Sequence, residues 1–136
     1  SRIFTLGGYG IGKMVEEPRV LGAATTSDLV EEMKERGVIF SSGEPGSGIV
    51  GASGLLLGLG KIYGIDAVCL MGETAGYFVD PKGAESVLRV LAEILMVEID
   101  FSDLEDKAEQ IDQITSKLKE IETPAEASKE DLGYIG

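Results

Sequence analysis

The sequence predicts an α/β protein with a mostly parallel sheet at its centre. Short apolar strand patterns alternate along the chain with helical patterns, an order typical of parallel strands joined by helices. The segment DAVCLMGE, residues 66–73, contains a continuous apolar run of the kind found in strands covered on both faces. At 136 residues the chain has the size of one domain, so we expect one hydrophobic core.

Four short strands are expected, over residues 2–6, 19–25, 38–40 and 66–73. The first is expected to stop in the glycine-rich stretch GGYGIG, because glycine is unfavourable inside strands. The third, VIF, is brief and is followed directly by a second glycine-rich stretch. Four short strands make a small sheet, and a missing N-terminal part would explain its size.

Two helices are expected between the second and the fourth strand. The first begins at residues 26–28, whose side-chain oxygens can cap it, and ends at Gly37. The second covers residues 49–63 and ends at Gly64, a usual residue for the left-handed position after a helix. Its composition is almost wholly apolar, which predicts a helix buried on nearly all sides. Gly51, Gly54 and Gly58 would let it lie close to neighbouring backbone.

Two further helices are expected after the last strand. Asp80 is a suitable N-cap and Pro81 a suitable first helical residue, and the apolar residues after them recur at helical spacing. A capping box at residues 102–105 opens the last helix, expected over residues 103–121 and ended by Pro124. Its heptad-like apolar seam suits packing either on its own domain or on another subunit. We therefore expect residues 1–122 to be the C-terminal part of a single α/β domain that includes this last helix.

Residues 123–136 are expected to form a flexible acidic tail. The segment is polar and contains proline, and it ends with an apolar and aromatic group of three side chains, Leu132, Tyr134 and Ile135. Such a group at the end of a mobile segment is a candidate anchor for a partner protein. The acidity of the chain is concentrated here, because residues 98–136 hold 12 acidic and 4 basic side chains.

The charge and the residue types exclude several classes of function. A net charge of −12 argues against nucleic-acid binding, which needs a basic face. The chain has no histidine and one cysteine, Cys69, so it has no Ser-His-Asp or Cys-His catalytic set and no ordinary zinc site. The lone cysteine favours a reducing cytoplasm, and no apolar run is long enough to cross a bilayer. No metal and no cofactor are expected.

Three glycine-rich loops, GGYGIG, SSGEPGSG and GETAGY, could form a ligand crevice at the carboxyl ends of the strands, where α/β proteins usually bind small molecules. The residues involved are Gly8, Gly46, Gly48 and Glu73. Residues Gly46 to Gly51 match the dinucleotide-binding pattern G-x-G-x-x-G. In such a site a later acidic residue at the end of a strand binds the ribose, whereas Asp66 stands at the beginning of a strand. A close-packed loop therefore explains these glycines better than a nucleotide site. Glu73 could act as a general base or hold a ligand, although a structural role is the commoner one for such an acid.

Five blocks of the sequence resemble the archaeal branch of the proteasome assembly chaperone family, the homologues of the second eukaryotic proteasome assembly chaperone. They are LGGYG, EEPRVLGAAT, GIVGASGLLLGLGKIYGIDAVCLMGET, GYFVDPKGAESVLRVL and VEIDFSDLE. The resemblance covers residues 1–122 and rests on long ordered blocks. It implies a three-layer α/β/α sandwich similar to nucleoside phosphorylases, assembled as a homo-oligomer, with no established catalysis.

The resemblance also implies an N-terminal part that this chain lacks and that could be a partner as a separate chain. Relatives carry a C-terminal ending of the form hydrophobic-Tyr-any residue, which docks between proteasome α-subunits. This chain departs from that ending, because Tyr134 is third from the end and Gly133 occupies the hydrophobic place. Leu132 is the candidate substitute for the missing apolar contact.

Two functions are therefore expected from the sequence. The first is a non-enzymatic, proteasome-assembly-chaperone-like protein that binds proteasome α-subunits through its tail. The alternative is a small-ligand binding protein or enzyme for a nucleoside, a nucleotide or phosphate, using the glycine-rich loops. Without histidine, chemistry in that crevice would depend on carboxylates and backbone amides.

Overall fold

The computed structural model describes residues 1–42 and 48–135, with side chains described up to residue 121. The elements in chain order are β1 (Arg2–Gly10), β2 (Val20–Ala24), α1 (Ser27–Lys34), α2 (Ala52–Tyr63), β3 (Asp66–Thr74), α3 (Pro81–Leu95) and α4 (Ser102–Ile135). The chain divides into two compact units. The first, Ser1–Phe101, contains the sheet and α1 to α3, and the second, Ser102–Gly136, contains α4.

The sheet is mixed rather than mostly parallel, which corrects the sequence-based expectation. Its order is β1-β3-β2, with β1 parallel and β2 antiparallel to β3. Parallel neighbours in a sheet need a long crossover, usually a helix. Residues 11–19 between β1 and β2 contain no helix, so β2 runs back in the opposite direction on the far side of β3.

Two strands differ from their predicted extents. β1 continues through the glycines to Gly10, because residues 7–10 pair with β3 as far as Thr74. Pairing with a buried central strand outweighs the poor strand propensity of glycine here. The predicted strand VIF is reduced to an isolated parallel bridge between Ile39 and Leu21.

The central strand β3 is buried on both faces, as its apolar run predicts. Because side chains alternate along a strand, Val68 and Leu70 belong to one core cluster and Cys69 and Met71 to another. The first cluster is completed mainly by residues of β2, α1 and α3, and the second includes Leu21 of β2 with Leu57 of α2 packed against it. The sheet is therefore packed by helices on both of its faces.

Three predicted helix ends are confirmed, the starts of α1 and α3 and the end of α2, whereas α1 ends before Gly37 and α2 begins at Ala52 rather than at residue 49. The Thr26 side chain accepts a hydrogen bond from the Leu29 amide at the start of α1, and the Asp80 carboxylate accepts one from the Gly83 amide at the start of α3. Gly64, with a φ of 67°, ends α2 in the left-handed conformation. These side-chain caps satisfy amides that have no partner inside the helix.

The expectation that the helix over residues 49–63 is buried nearly all round is wrong. α2 faces the sheet with Leu57 and Gly60, while its other side is exposed and carries Leu55, Leu56, Leu59, Ile62 and Tyr63. We call these five residues the outer face of α2. Close approach to backbone involves Gly54, as expected, and Gly60, which was not expected. A Cβ on Gly54 or Gly60 would meet backbone oxygens at 2.1 and 3.0 Å, whereas Gly58 and Gly51 have open space around them.

The last helix is longer than expected. The backbone of α4 is helical from Ser102 to Ile135, past Pro124, where the sequence predicts an end. Good helix formers follow the proline in the stretch AEASKE, which favours continuation. That residues 123–136 act as a flexible tail stays a prediction. Within the described part of the chain, no helix is both long enough and apolar enough to cross a bilayer.

Candidate functional site

The carboxyl ends of β1 and β3 lie side by side and form the centre of the candidate site. Gly10 is the register partner of Thr74, and the amide of Ile11 donates to the carbonyl of Thr74 at 2.9 Å. The loop after β3 returns to the loop after β1, because the Tyr77 hydroxyl donates to the Gly12 carbonyl at 2.6 Å. Two of the three predicted glycine-rich segments are thus brought together at this edge of the sheet.

Glu73 is held by Arg19 rather than presented to a ligand. Its carboxylate accepts hydrogen bonds from the Arg19 backbone amide at 2.9 Å and from Nε at 2.6 Å, and Arg19 NH2 lies 2.5 Å from Oε1. The Glu73 amide in turn donates to the Arg19 carbonyl at 3.0 Å. The Glu73 residue is 4% exposed. These contacts attach the residue before β2 to the end of β3.

The electrostatics of this pair do not suit a general base. Hydrogen bonding from the Arg19 side chain, with a further contribution from its backbone amide and positive charge, holds the pKa of Glu73 below its ordinary value despite burial. A carboxylate with a lowered pKa is a weaker base, and its oxygens already have donors. Glu73 therefore has a structural role in this arrangement.

One groove beside β1 contains two of the predicted crevice residues. We call it the Tyr9 groove; it has a volume of about 340 Å³, and its walls include Gly8, Tyr9, Gly48, Ile49, Cys69 and Met71. Gly46 lies outside the described residues, and Glu73 is not part of the lining. The structure thus brings Gly8 and Gly48 together but leaves Glu73 apart from them.

A second groove beside β1 is bordered by α3. We call it the Leu88 groove; it has a volume of about 450 Å³, and its walls include Leu6, Gly8, Thr74, Phe78, Val87 and Leu88. Its acidic residue, Asp80, already accepts the Gly83 amide as the cap of α3. The accessible lining is largely apolar, so this groove suits apolar side chains better than a charged ligand.

The described linings of the two grooves contain three titratable side chains, those of Tyr9, Cys69 and Asp80. The Tyr9 groove is lined by glycine, apolar, Tyr, Ser and Cys residues, with no acidic or basic side chain among them. Burial raises the pKa of the Cys69 thiol, which keeps it protonated at neutral pH and therefore a poor nucleophile. Among the described residues, no group of three or more potential ligands could hold a metal ion.

The tail residues Leu132, Tyr134 and Ile135 lie in the helical backbone of α4, and their side chains are outside the described part of the structure. Their docking to a partner therefore stays a prediction. Sequence reasoning missed two features of the site, the Arg19 partner of Glu73 and the exposed outer face of α2. The first joins residues 54 positions apart, so no local pattern could reveal it.

Comparisons with known proteins point to one family. A model of the PAC2 family matches residues 1–119. An uncharacterised protein of Methanocaldococcus jannaschii is 42% identical over 98% of this chain and 54% of its own length. A second protein of the same organism is 34% identical over 86% of this chain and 45% of its own length.

Solved structures agree with the sequence comparisons. Pyrococcus furiosus PbaB, described as an archaeal proteasome activator, has a TM-score of 0.78 and 42% identity over 87% of this chain and 50% of its own. Pyrococcus furiosus PbaA, described as an archaeal homologue of proteasome-assembly chaperone, has a TM-score of 0.75 and 28% identity over 95% of this chain and 53% of its own.

The chain spans about half the length of the relatives that it matches. What the matches share with it is an α/β fold with a small sheet and packed helices. The family model covers most of the sequence, and a relative above 40% identity covers nearly all of it. This chain therefore belongs to the PAC2 family.

Proposed function

We propose that this chain is a non-enzymatic, proteasome-assembly-chaperone-like protein that binds proteasome α-subunits. The observation that carries the proposal is the similarity to PbaB, at 42% identity and a TM-score of 0.78, because PbaB is described as a proteasome activator. The likeness to PbaA, described as a homologue of proteasome-assembly chaperone, points to the same partner. The lack of an available acid–base pair at the described strand ends fits a binding role.

The proposed contact is the end of the chain, with Tyr134 and Ile135 as the anchor and Leu132 as the additional apolar side chain. An anchor of three side chains gives weak binding at a single site. A symmetric homo-oligomer presenting several tails to a ring of subunits would gain affinity through effective concentration, without any new type of contact. We therefore include a homo-oligomer, located in the cytoplasm, in the proposal.

Capture of proteasome α-subunits by the immobilised protein tests this function. Deleting residues 132–136 should reduce capture at least about tenfold, because the apolar anchor is removed while the α/β unit stays intact. Glu126→Ala, in the same segment but outside the anchor, is the matched control and should leave capture unchanged. Equal capture by the deletion variant would remove the tail from the proposal, and no capture by the intact chain would remove the function.

The proposal includes the finer architecture, a three-layer α/β/α sandwich of the phosphorylase type. Its support is that β3 has a core cluster on each face, with α2 contributing to one and α1 and α3 to the other. Experimental structures of this chain and of a full-length relative would test this architecture. A sandwich requires that helices cover both faces of the sheet in the same way in the two proteins.

Small-ligand binding is the second candidate function, favoured by the single groove that holds Gly8 and Gly48. Thermal unfolding in the presence of nucleosides, nucleotides or phosphate tests it, because a ligand of the folded state raises the unfolding temperature. Absence of any shift with millimolar ligand would count against this candidate. Glu73→Gln should not change the rise in unfolding temperature that a ligand produces, because the Glu73 carboxylate is already hydrogen-bonded to Arg19.

A further inference from the structure

The second compact unit of the chain consists of α4 alone. α4 has 34 residues, which makes it about 50 Å long. In water a helix gains most of its stability by packing an apolar face against another element, rather than from the helix propensity of its residues. A helix that forms a unit by itself therefore needs a partner for its apolar face.

The apolar face of α4 follows a seven-residue repeat. Leu104 stands at position a of this repeat, and the next d position, residue 107, is a lysine. After it the a and d positions are apolar without interruption, and we call these residues the α4 seam: Ile111, Ile114, Leu118 and Ile121. The backbone stays helical to Ile135, so the repeat continues beyond the helix end expected at Pro124.

The α4 seam is open to solvent over its later turns. Ile114, Leu118 and Ile121 are 56%, 51% and 68% exposed. The Thr115 hydroxyl, beside the seam at position e, donates to the Ile111 carbonyl at 2.9 Å and therefore needs no other partner when the seam is covered. These turns present apolar side chains that a second helix could cover.

The charges of α4 indicate that the partner is another copy of this chain. The acidic residues between Leu104 and Ile121 all lie at positions b, c and f, on the side of the helix away from the seam: Glu105, Asp106, Glu109, Asp112 and Glu120. With a net charge of −12, two copies of the chain repel each other over most of their surface. The seam is a stripe along which they can approach without bringing carboxylates together.

Parallel pairing also matches the charges beside the seam. In a parallel coiled coil, position g of one helix lies near position e of the next heptad of its partner. Residue 117, at g, is a lysine, and residue 122, at the matching e position, is a glutamate. The two earlier pairs, residues 103 with 108 and 110 with 115, bring no like charges together. Antiparallel pairing places g opposite g and loses this match.

The side-chain shapes in the seam indicate how many helices associate. Isoleucine at both a and d, or leucine at a with isoleucine at d, favours three or four helices over two. The first heptad of the seam has Ile111 and Ile114 at these positions, and the second has Leu118 and Ile121. Neither heptad has the combination of isoleucine at a and leucine at d that favours a dimer.

We propose that α4 associates in parallel with α4 of two or three further copies of this chain, through the α4 seam. The inference rests on the homo-oligomer included in the proposed function and identifies the contact that forms it. Parallel association places the tails of all copies at the same end of the bundle. Several tails could then reach one ring of subunits together.

Sedimentation equilibrium of the full chain tests the proposal, and we expect a trimer or a tetramer at micromolar concentration. Leu118→Lys should weaken the association at least about a hundredfold, because it places a charge in the covered seam. Ser116→Lys is the matched control, since it adds the same charge at position f and should leave the association unchanged. Circular dichroism during heating checks that each variant still unfolds cooperatively.

An exchange of charges tests the direction of the helices. Lys117→Glu should weaken the association at least about threefold at low salt, because it brings two acidic side chains together at positions 117 and 122. Combining it with Glu122→Lys restores an opposite-charge pair and should recover the association. In an antiparallel bundle the second substitution would not compensate for the first.

Three results would overturn the proposal. The first is a full chain that sediments as a monomer or a dimer. The second is equal association of Leu118→Lys and Ser116→Lys, which would place the contact elsewhere. The third is a double charge variant that associates as weakly as Lys117→Glu. The outcome is separate from that of the proposed function, because a monomer that captures proteasome α-subunits contradicts only this inference, and an oligomer that captures none contradicts only that function.

Discussion

Arg19 and Glu73 form the most tightly connected side-chain pair described in the α/β unit. Three donors of Arg19 contact one buried carboxylate, and the Glu73 amide donates back to Arg19. The pair lies where β2 begins and β3 ends, so it sets the register of the antiparallel half of the sheet. Removing one partner leaves a buried charge with incomplete hydrogen bonding, which lowers the free energy of unfolding.

We expect Arg19→Met to lower the free energy of unfolding by about 1–3 kcal/mol at pH 7. The value is moderate because the Arg19 backbone amide still donates to Glu73 and the Arg19 side chain is 44% exposed. Lys34→Met is the control, since it removes an exposed pair with Glu31 and should cost less than about 0.5 kcal/mol. Urea denaturation measures both, and equal effects would contradict the structural role.

The same pair predicts a pH dependence. The pKa of Glu73 is lowered in the folded state from an ordinary value of 4.5, chiefly by hydrogen bonding from Arg19. Its stabilising contribution is therefore fully present above pH 4.5 and is lost as the pH falls through the folded-state pKa. Stability curves of the parent chain and Arg19→Met should converge below that pKa. A constant difference down to pH 2 would contradict this linkage.

Gly72 and Gly83 allow α3 to lie directly on β3. A Cβ on Gly72 would meet the Gly83 carbonyl oxygen at 2.6 Å and a Val87 methyl at 2.9 Å. We expect Gly72→Ala to destabilise the chain by about 1–3 kcal/mol through overpacking. Gly58→Ala, which meets nothing within 4 Å, should instead stabilise α2 by about 0.5–1 kcal/mol. Thermal unfolding of the two variants in parallel measures this contrast.

At the scale of elements, the helix starts with side-chain caps could be predicted from sequence, whereas several other helix ends and the helix environments could not. Asp80 and Thr26 cap helices through contacts three residues away, so a local pattern contains the whole cause. The apolar composition of α2 predicts complete burial, but burial depends on what other elements cover the helix. In this chain Gly60 and Leu57 face the sheet, and most of the large apolar side chains face outwards.

Lysine substitutions on the two sides of α2 test this orientation. Ile62→Lys should change the free energy of unfolding of the chain alone by less than about 0.5 kcal/mol, because the site is exposed. Leu57→Lys should cost about 2 kcal/mol or more, because Leu57 packs against the Cys69 and Met71 cluster. Urea denaturation at equal protein concentration gives both values. A large loss for Ile62→Lys would mean that the outer face is covered in the chain alone.

Strand direction is a further property that local patterns did not predict. The apolar run of β3 correctly indicates a strand covered on both faces, yet the same run suits parallel and antiparallel neighbours. The direction of β2 depends on the helix-free connection over residues 11–19 and on pairing with β3. β1 likewise extends through glycines because its partner strand continues beside them.

At the scale of the whole molecule, the two units should be separable. Both core clusters consist of residues before Ser102, which begins α4. We expect a chain ending at Phe101 to unfold cooperatively, with a midpoint within about 5 °C of the full chain, and to lose capture of proteasome α-subunits. Circular dichroism during heating measures the first property. Loss of a cooperative transition on truncation would show that α4 is required for the core.

The candidate site could be predicted only in part, because it depends on contacts distant in sequence. Gly8 and Gly48 were expected in one crevice and line one groove, although Gly8 lies inside β1 and the strand expected before Gly48 is only an isolated bridge. Glu73 was expected beside them, but its role depends on Arg19, which is 54 residues away. The expected tail anchor of Leu132, Tyr134 and Ile135 stays a prediction.

The sequence by itself determined the α/β class, the buried central strand, the helix caps and the family resemblance. Each rests on composition, on periodicity or on contacts within a few residues. Only the tertiary structure decided the direction of β2, the exposure of the outer face of α2 and the hydrogen bonding of Glu73 to Arg19. These depend on which distant segments meet, and pairing and packing energies between such segments outweigh local preference.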